Sequence, residues 1–369
     1  NLVGLLEEVL YETLDLIDRS VYHLEEEIIE YVRYDASKGV WIVYYRYKGV
    51  SQERREESSG YYFGERIYHY YSPMTGPFPY ILPNVEIGLA LTSALENKDM
   101  LEYVGEKEGW IKEHVKNISK WVLKKRTPSR LWMHEATGSL ENVWTSAWCL
   151  MLLSRAVEIG CFPECAQEVQ SSANALTSVR DAKSGGWAPL PTSPAATDKI
   201  PRCGSTALAL TALIYAKKAG AVISGEAIKS AIKFLEGNAK KSGDEYYWPE
   251  EGSVRGYEAL SDVELTSYVC YALCLALEEG YQVDTEILKG AMKWIRERFD
   301  ELGDIEALIP LQALCYLTFS GIMDSDDLES TTSYRIIAYL GKNLNKMDVA
   351  NIALMIRSLL IWCLASSIK

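Results

Sequence analysis

Two kinds of helical segment alternate along this chain. Segments of the first kind are apolar on nearly all sides, as expected of helices that are surrounded by protein. They are Pro83–Leu95, Asn142–Val157, Ser205–Ala219, Asp262–Leu277, Ile305–Phe319 and Asp348–Leu364. Segments of the second kind are amphipathic, with one charged face. They are Leu2–Val32, Gly109–Leu123, Pro163–Ser178, Gly225–Asn238, Thr285–Phe299 and Leu328–Leu340.

This alternation predicts an all-α protein in which helical hairpins are arranged around a ring. The apolar helices would form an inner circle, and the amphipathic helices would form an outer circle with one face in water. We therefore expect a single (α/α)6 toroid over residues 1–369, with a central cavity at one end. A helical bundle or a solenoid is the alternative. A solenoid needs a hydrophilic repeat at each end, whereas the last segment here is among the most apolar.

One stretch departs from the helical pattern and predicts a small β-hairpin near residues 39–71. Gly39–Lys48 and Gly60–Tyr71 are rich in Trp, Val, Ile and Tyr, and the polar segment Val50–Ser59 separates them. The hairpin would be an insertion, over residues 36–75, between the first outer and the first inner helix. It can serve as a lid over the cavity or be a surface decoration.

Charge and composition restrict the class of protein. Acidic residues outnumber basic ones by 51 to 38, which disfavours a protein that coats nucleic acid. No run of 18 apolar residues is free of charge, so no membrane span is expected, although peripheral membrane contact stays open. The acidic, amphipathic N-terminal segment argues against a signal peptide, and we expect a cytoplasmic location.

The eight cysteines predict free thiols in a reducing compartment rather than a disulfide framework. Cys149, Cys270, Cys274, Cys315 and Cys363 fall in apolar helical stretches, where a thiol behaves as a small hydrophobic group. Cys161 and Cys165 have a spacing that can begin a metal site. No His or second Cys pair follows at zinc spacing, so we expect no metal there.

Two sets of motifs resemble known families. Lys183–Pro189 (KSGGWAP) followed by Ser205–Leu210 (STALAL) resembles the glycine-tryptophan turn and Thr-Ala helix start of terpene cyclases and protein prenyltransferases. Ser261–Ala272 (SDVELTSYVCYA), and the run from Tyr246 to Ile295, are similar to thioester domains of the α2-macroglobulin and complement family. These families share the α/α toroid, so the resemblance, over roughly residues 80–320, implies that fold.

The catalytic motifs of these families are missing. Arg202–Ser205 (RCGS) stands where a terpene cyclase of the protonating class has Asp-x-Asp-Asp. The last histidine is His134, so the zinc site of prenyltransferases is not expected. Gly76–Tyr80 has no cysteine where a thioester domain needs one.

Several acidic residues are candidates for a relocated catalytic acid. Asp198 lies in a proline-rich loop before the third inner helix, and is nearest to the lost motif. Asp262 begins the fourth inner helix, where Glu264 also fits a capping box with Ser261. Asp324, Asp326 and Asp327 match Asp-x-Asp-Asp formally, but acids at this position also favour the start of an outer helix.

Aromatic residues are abundant, with 24 Tyr and 10 Trp against 6 Phe. The candidates for a substrate-binding cavity are Trp144, Trp187, Trp248, Tyr257 and Tyr268. Aromatic faces stabilise cations, although aromatic residues at helical spacing are also common in ordinary cores. His134 and Glu135 can perform acid–base chemistry, or can simply be loop residues.

These observations lead to two functional hypotheses. The first is a non-standard terpene cyclase-like protein that binds a polyprenyl chain in an aromatic-lined cavity and starts a carbocation cyclisation with one of the acids. It needs no cofactor, or Mg²⁺ if the substrate is a diphosphate. The alternative is a non-catalytic protein–protein interaction module, similar to a thioester domain without its thioester.

Overall fold

The structure is a computed structural model. It describes residues 32–35, 40–43, 81–99, 102–134, 140–252, 260–325, 328, 335–336, 338–339 and 349–366.

The predicted all-α fold class is confirmed, since most described residues are helical. In chain order the helices are α1 (Ile81–Glu96), α2 (Glu102–Glu106), α3 (Glu108–Lys124), α4 (Val143–Glu158), α5 (Ala166–Ser178), α6 (Cys203–Lys218), α7 (Gly225–Asn238), α8 (Asp262–Glu278), α9 (Thr285–Phe299), α10 (Leu308–Phe319) and α11 (Val349–Ser366). Short 3₁₀ helices at Pro163–Cys165 and Ala196–Lys199 precede α5 and α6.

Burial separates the two kinds of helix as the sequence predicts. In α6 every residue from Cys203 to Ala216 is buried. In α7 the buried residues are Ala227, Ile228, Ala231, Ile232 and Leu235, which form one stripe at helical spacing. The apolar helices are α1, α4, α6, α8, α10 and α11. The predicted outer segment Leu2–Val32, apart from Val32, and most of Leu328–Leu340 lie outside the described residues.

Three apolar helices begin with the same type of hydrogen bond. The backbone N–H of a tryptophan that precedes the helix donates to a hydroxyl in its first turns. Trp132 donates to Ser146 of α4 at 2.9 Å, Trp187 to Thr206 of α6 at 2.9 Å, and Trp248 to Thr266 of α8 at 3.0 Å. This hydrogen bond fixes the path by which the chain enters each helix.

The same helices also end alike, at a glycine in the left-handed region. After α6, Gly220 has φ 93°, and Ala221 N–H donates to Ala216 O at 2.9 Å. After α8, Gly280 has φ 80°, and Tyr281 N–H donates to Ala276 O at 3.0 Å. Glycine tolerates this conformation without strain, so these residues stop the helices.

Two short hairpins interrupt the helical pattern in the described ranges. β1 (Val32–Asp35) pairs antiparallel with β2 (Val40–Val43), which lies within the predicted strand Gly39–Lys48. The second predicted strand, Gly60–Tyr71, lies outside the described residues. β3 (Lys240–Ser242) and β4 (Glu245–Tyr247) form a hairpin that the sequence analysis did not predict, and this hairpin packs on α9.

Two compact units are distinguished. Unit 1 comprises Asn1–Lys125 and Ser333–Leu360, and unit 2 comprises Arg126–Thr332 and Ile361–Lys369. Within unit 1, α1 packs against α3. Within unit 2, α6 packs against both α4 and α8, and α8 packs against α10. The amphipathic helices α5, α7 and α9 lie on α4, α6 and α8. The single domain expected over residues 1–369 stays a prediction.

Candidate functional site

The starts of α4, α6 and α8 are tied together at one end of unit 2. Val143 N–H of α4 donates to Pro189 O, in the loop that leads to α6, at 3.0 Å. The first two amides of α6, those of Cys203 and Gly204, donate to Glu251 at 2.6 and 3.1 Å. We call the segments 142–144, 202–204 and 261–264 the rim.

Two aromatic residues proposed from the sequence meet at the rim. Trp144, on the first turn of α4, and Tyr268, on the second turn of α8, have ring centroids 5.4 Å apart in an edge-to-face arrangement. α6 packs against both of these helices. Both side chains are only half-buried, so part of the pair is accessible to a ligand.

The other two tryptophans proposed for ligand binding are structural. Trp187 and Trp248 are 0% exposed, so no face of either ring is open to a ligand. Each indole N–H donates to a carbonyl of a preceding outer helix, Trp187 to Leu176 O at 2.7 Å and Trp248 to Leu235 O at 2.8 Å. Tyr257, the fifth proposed aromatic residue, lies outside the described residues.

Two of the proposed acids lie near the rim. Asp262 is the first residue of α8, and its Oδ1 accepts from the Val263 amide at 2.8 Å. Asp198, in the 3₁₀ helix before α6, is half-buried, and its Oδ2 accepts from Ser193 Oγ at 2.7 Å. Glu264 forms the capping box with Ser261, as the alternative interpretation of that motif predicts.

The remaining candidates are placed elsewhere or outside the description. Asp324 is exposed and follows the C-terminal end of α10, and Asp326 and Asp327 lie outside the described residues. His134 is buried before α4, and burial lowers its pKa to about 4. A histidine with so low a pKa is neutral near pH 7. Glu135 lies outside the described residues.

A cluster of tyrosine hydroxyls joins α6, α8 and α10, and the sequence analysis missed it. Tyr215 of α6 shares hydrogen bonds with Tyr271 of α8 at 2.7 Å and with Tyr316 of α10 at 3.1 Å. Burial, followed by the neighbouring hydroxyls, raises the pKa of Tyr316. Tyr271 is three residues beyond Tyr268, so the two share one face of α8.

A groove of about 760 Å³ lies between the β3–β4 hairpin and α9. Its walls carry exposed ion pairs, such as Lys293 Nζ to Asp244 Oδ2 at 2.8 Å. None of the residues proposed from the sequence lines it.

All eight cysteines lie in the described part of the chain, where they are buried and form no disulfide. Burial raises the pKa of Cys165, Cys274 and Cys363 to about 12 and also raises that of Cys203, Cys270 and Cys315. Among the described residues, no group of His, Cys, Asp and Glu is arranged to hold a metal ion.

The helices in the described ranges are all too short or too polar to cross a membrane.

Comparison with known proteins gives similarity at the level of structure alone. No family model and no curated protein matches the chain. A family 76 glycoside hydrolase, a mannosidase from Bacteroides thetaiotaomicron, has a TM-score of 0.56 at 13% identity, over 83% of this chain and 94% of its own. A family 76 glycoside hydrolase from a bovine strain of the same species has a TM-score of 0.52 at 11% identity. The alignment covers 85% of this chain and 76% of the hydrolase. At this identity the likeness establishes the fold, and it agrees with the predicted α/α toroid class.

The functional expectations drawn from the sequence motifs are wrong. These two structural neighbours are glycoside hydrolases, and no terpene cyclase or thioester domain matches the chain. A polyprenyl substrate and the thioester-like interaction module are therefore both set aside. The physical reason is that the motifs encode helix starts. Trp187 and Thr206, which carry the cyclase resemblance, are both buried, and the backbone N–H of Trp187 donates a hydrogen bond to the Thr206 hydroxyl.

Proposed function

We propose that this chain binds a glycan at the rim and hydrolyses its glycosidic bonds. The observation that carries the proposal is the half-buried Trp144–Tyr268 pair, at the end of unit 2 where Asp198 and Asp262 also lie. The fold shared with two glycoside hydrolases supports it.

The aromatic pair suits a sugar ring. One face of a pyranose is dominated by C–H groups, which pack well against the apolar face of an aromatic ring. The two rings are edge-to-face, so each offers a differently oriented surface. Polar groups around such a surface hydrogen-bond the sugar hydroxyls and fix the orientation of the ligand.

Hydrolysis of a glycosidic bond commonly needs two carboxyl groups, one that protonates the leaving oxygen and one that acts as nucleophile or base. We propose Asp262 as the nucleophile or base. It lies on the first turn of α8, where the helix N-terminus interacts favourably with a negative charge. Asp198 is the proposed second carboxyl group. It is half-buried near the start of α6, where Ser193 orients it.

The test is binding and cleavage of mannose-containing oligosaccharides, with other hexose oligosaccharides beside them. Trp144→Ala and Tyr268→Ala should each weaken binding by about tenfold, since an aromatic anchor contributes on the order of 1–2 kcal/mol. Tyr281→Ala is the matched control, because Tyr281 is a half-buried tyrosine beyond the other end of α8.

Asp262→Asn and Asp198→Asn should retain binding and lose turnover. Failure of the native chain to bind or cleave any oligosaccharide of the panel would overturn the proposal. Binding without cleavage would leave a glycan-binding protein and remove the assigned roles of the two aspartates.

A further inference from the structure

One carboxylate ties the starts of two rim helices together. Both oxygens of Glu251 accept from the first turn of α6, Oε1 from the Cys203 amide at 2.6 Å and Oε2 from the Gly204 amide at 3.1 Å. Its backbone pairs antiparallel with Leu260, with both hydrogen bonds at 3.1 Å. Leu260 is followed at once by Ser261, which caps α8. The side chain of Glu251 thus holds α6 while its backbone holds the entry to α8.

A second contact reinforces this arrangement. The guanidinium of Arg202 donates to Gly252 O, the carbonyl that follows Glu251. The backbone N–H of Arg202 donates to Trp187 O at 3.0 Å, in the turn that precedes α6. Residues 251–252 are therefore held by the first turn of α6 and by Arg202, the residue that precedes α6. Arg202 is in turn held by the backbone of Trp187.

The charges favour this position of the carboxylate. The first amides of a helix carry the positive end of its dipole and have no acceptor within the helix. Glu251 supplies that acceptor from a distant part of the chain, since Arg202, which precedes α6, has no side-chain capping bond of its own. The carboxylate also stands beside Cys203, whose pKa is raised first by burial and then by this charge. The thiol is therefore protonated and does not compete for the amides.

We infer that Glu251 is a positioning residue for the glycan site. By fixing the start of α8 against α6, it sets the position of Asp262 and Tyr268 relative to Trp144. This inference rests on the proposed function, although its effect on the Trp144–Tyr268 contact can be measured with no glycan present.

Because the Glu251 carboxylate binds two helix amides, we expect that a small carboxylate in solution can replace it in a suitable variant. Glu251→Ala removes the carboxylate and leaves two helix N-terminal amides that bind small anions. Acetate has the same planar carboxylate, so it should occupy the vacated position. Glu251→Gln keeps the shape but presents an NH₂ group to one amide, and acetate has no room to replace it. Glu250→Gln is the control, because Glu250 is the exposed neighbour of Glu251.

The experiment compares the three variants with the native chain in sodium acetate and in sodium chloride at equal ionic strength. Three quantities are measured: the melting temperature, the oligosaccharide Kd, and the ¹⁹F resonance of Trp144 in protein labelled with 5-fluorotryptophan. The resonance is assigned from its loss in Trp144→Phe.

We expect Glu251→Ala to lower the melting temperature, shift the Trp144 resonance and raise Kd by about tenfold, because small misplacements of binding groups are costly. Acetate, and not chloride, should reverse all three changes. Glu251→Gln should show the changes without the rescue, and Glu250→Gln should match the native chain.

Restoration of the melting temperature by acetate, with the resonance and Kd left as in the unrescued variant, would reduce Glu251 to a purely stabilising residue and overturn the inference. An unchanged resonance in Glu251→Ala would do the same. If the native chain binds no glycan, the proposed function fails, and the acetate-dependent resonance still decides whether Glu251 positions the aromatic pair.

Discussion

Arg357 of α11 and Glu86 of α1 form a buried ion pair in unit 1, with Nη1 of the arginine 2.9 and 3.1 Å from the two carboxylate oxygens. Arg357 is 3% exposed and Glu86 is 9% exposed. Burial raises the pKa of Glu86, and the guanidinium charge opposes that rise. Two charges inside an apolar layer are tolerated because each compensates the other.

Loss of either partner of this pair should be strongly destabilising. Glu86→Gln leaves the guanidinium buried without the carboxylate, so the free energy of unfolding should fall by about 3 kcal/mol. Chemical denaturation at pH 7 measures the change. The double variant Glu86→Leu/Arg357→Met removes both charges and should recover most of the loss. Equal stability of Glu86→Gln and the native chain would contradict the structural role of the pair.

Trp187 and Trp144 should respond in opposite ways to replacement by phenylalanine. Trp187→Phe removes the indole N–H that bonds to Leu176 O, and should lower the free energy of unfolding by about 1–3 kcal/mol without changing oligosaccharide affinity. Trp144→Phe should leave stability nearly unchanged and weaken binding. Denaturation and titration calorimetry separate the two effects. Weaker binding in a fully stable Trp187→Phe variant would return that residue to the binding site.

The helix-ending glycines should be sensitive to alanine for conformational reasons alone. Gly220 and Gly280 have positive φ, and a Cβ on either residue would meet no atom within 4 Å. Gly220→Ala should therefore cost about 1 kcal/mol of stability through backbone strain rather than through a clash. Gly237→Ala is the control, since Gly237 also has open space but lies within α7 at a helical φ. Its stability should be unchanged or slightly higher, and a loss as large as that of Gly220→Ala would contradict this explanation.

Buried His134 should make the fold sensitive to mild acid. Its folded pKa of about 4 lies below the ordinary value of 6.5, so the unfolded chain binds more protons between these values. Stability is then complete above about pH 6.5 and falls as the pH decreases, by about 2 kcal/mol between pH 7 and pH 5. His134→Gln should flatten this part of the pH profile. Parallel profiles for the native chain and His134→Gln would refute the prediction.

Local pattern was sufficient to predict the long helices of the described residues, although it missed the short helix α2. Gly225–Asn238 and Thr285–Phe299 are observed with the predicted bounds, because amphipathic periodicity and capping are properties of neighbouring residues. The contacts between elements depended on residues that are distant in sequence. The Glu86–Arg357 pair spans 271 residues, and its only sequence signal is a charged residue inside an apolar helix. Trp187 was wrongly assigned to ligand binding. Its hydrogen-bond partner Thr206 lies 19 residues away in helix α6, and hydrophobic periodicity does not reveal such a bond.

The burial of every cysteine has a practical consequence for spectroscopy. A thiol reacts with maleimides as its thiolate, and buried thiols of high pKa supply almost none near neutral pH. A cysteine introduced at Val222, which is 82% exposed, would accordingly be the single reactive thiol of the native fold. Its backbone is held by the side chain of Gln170 at 2.7 and 3.1 Å, so an attached dye or nitroxide would report on unit 2 from a fixed anchor. Distance measurements from that probe need no prior removal of the eight native cysteines.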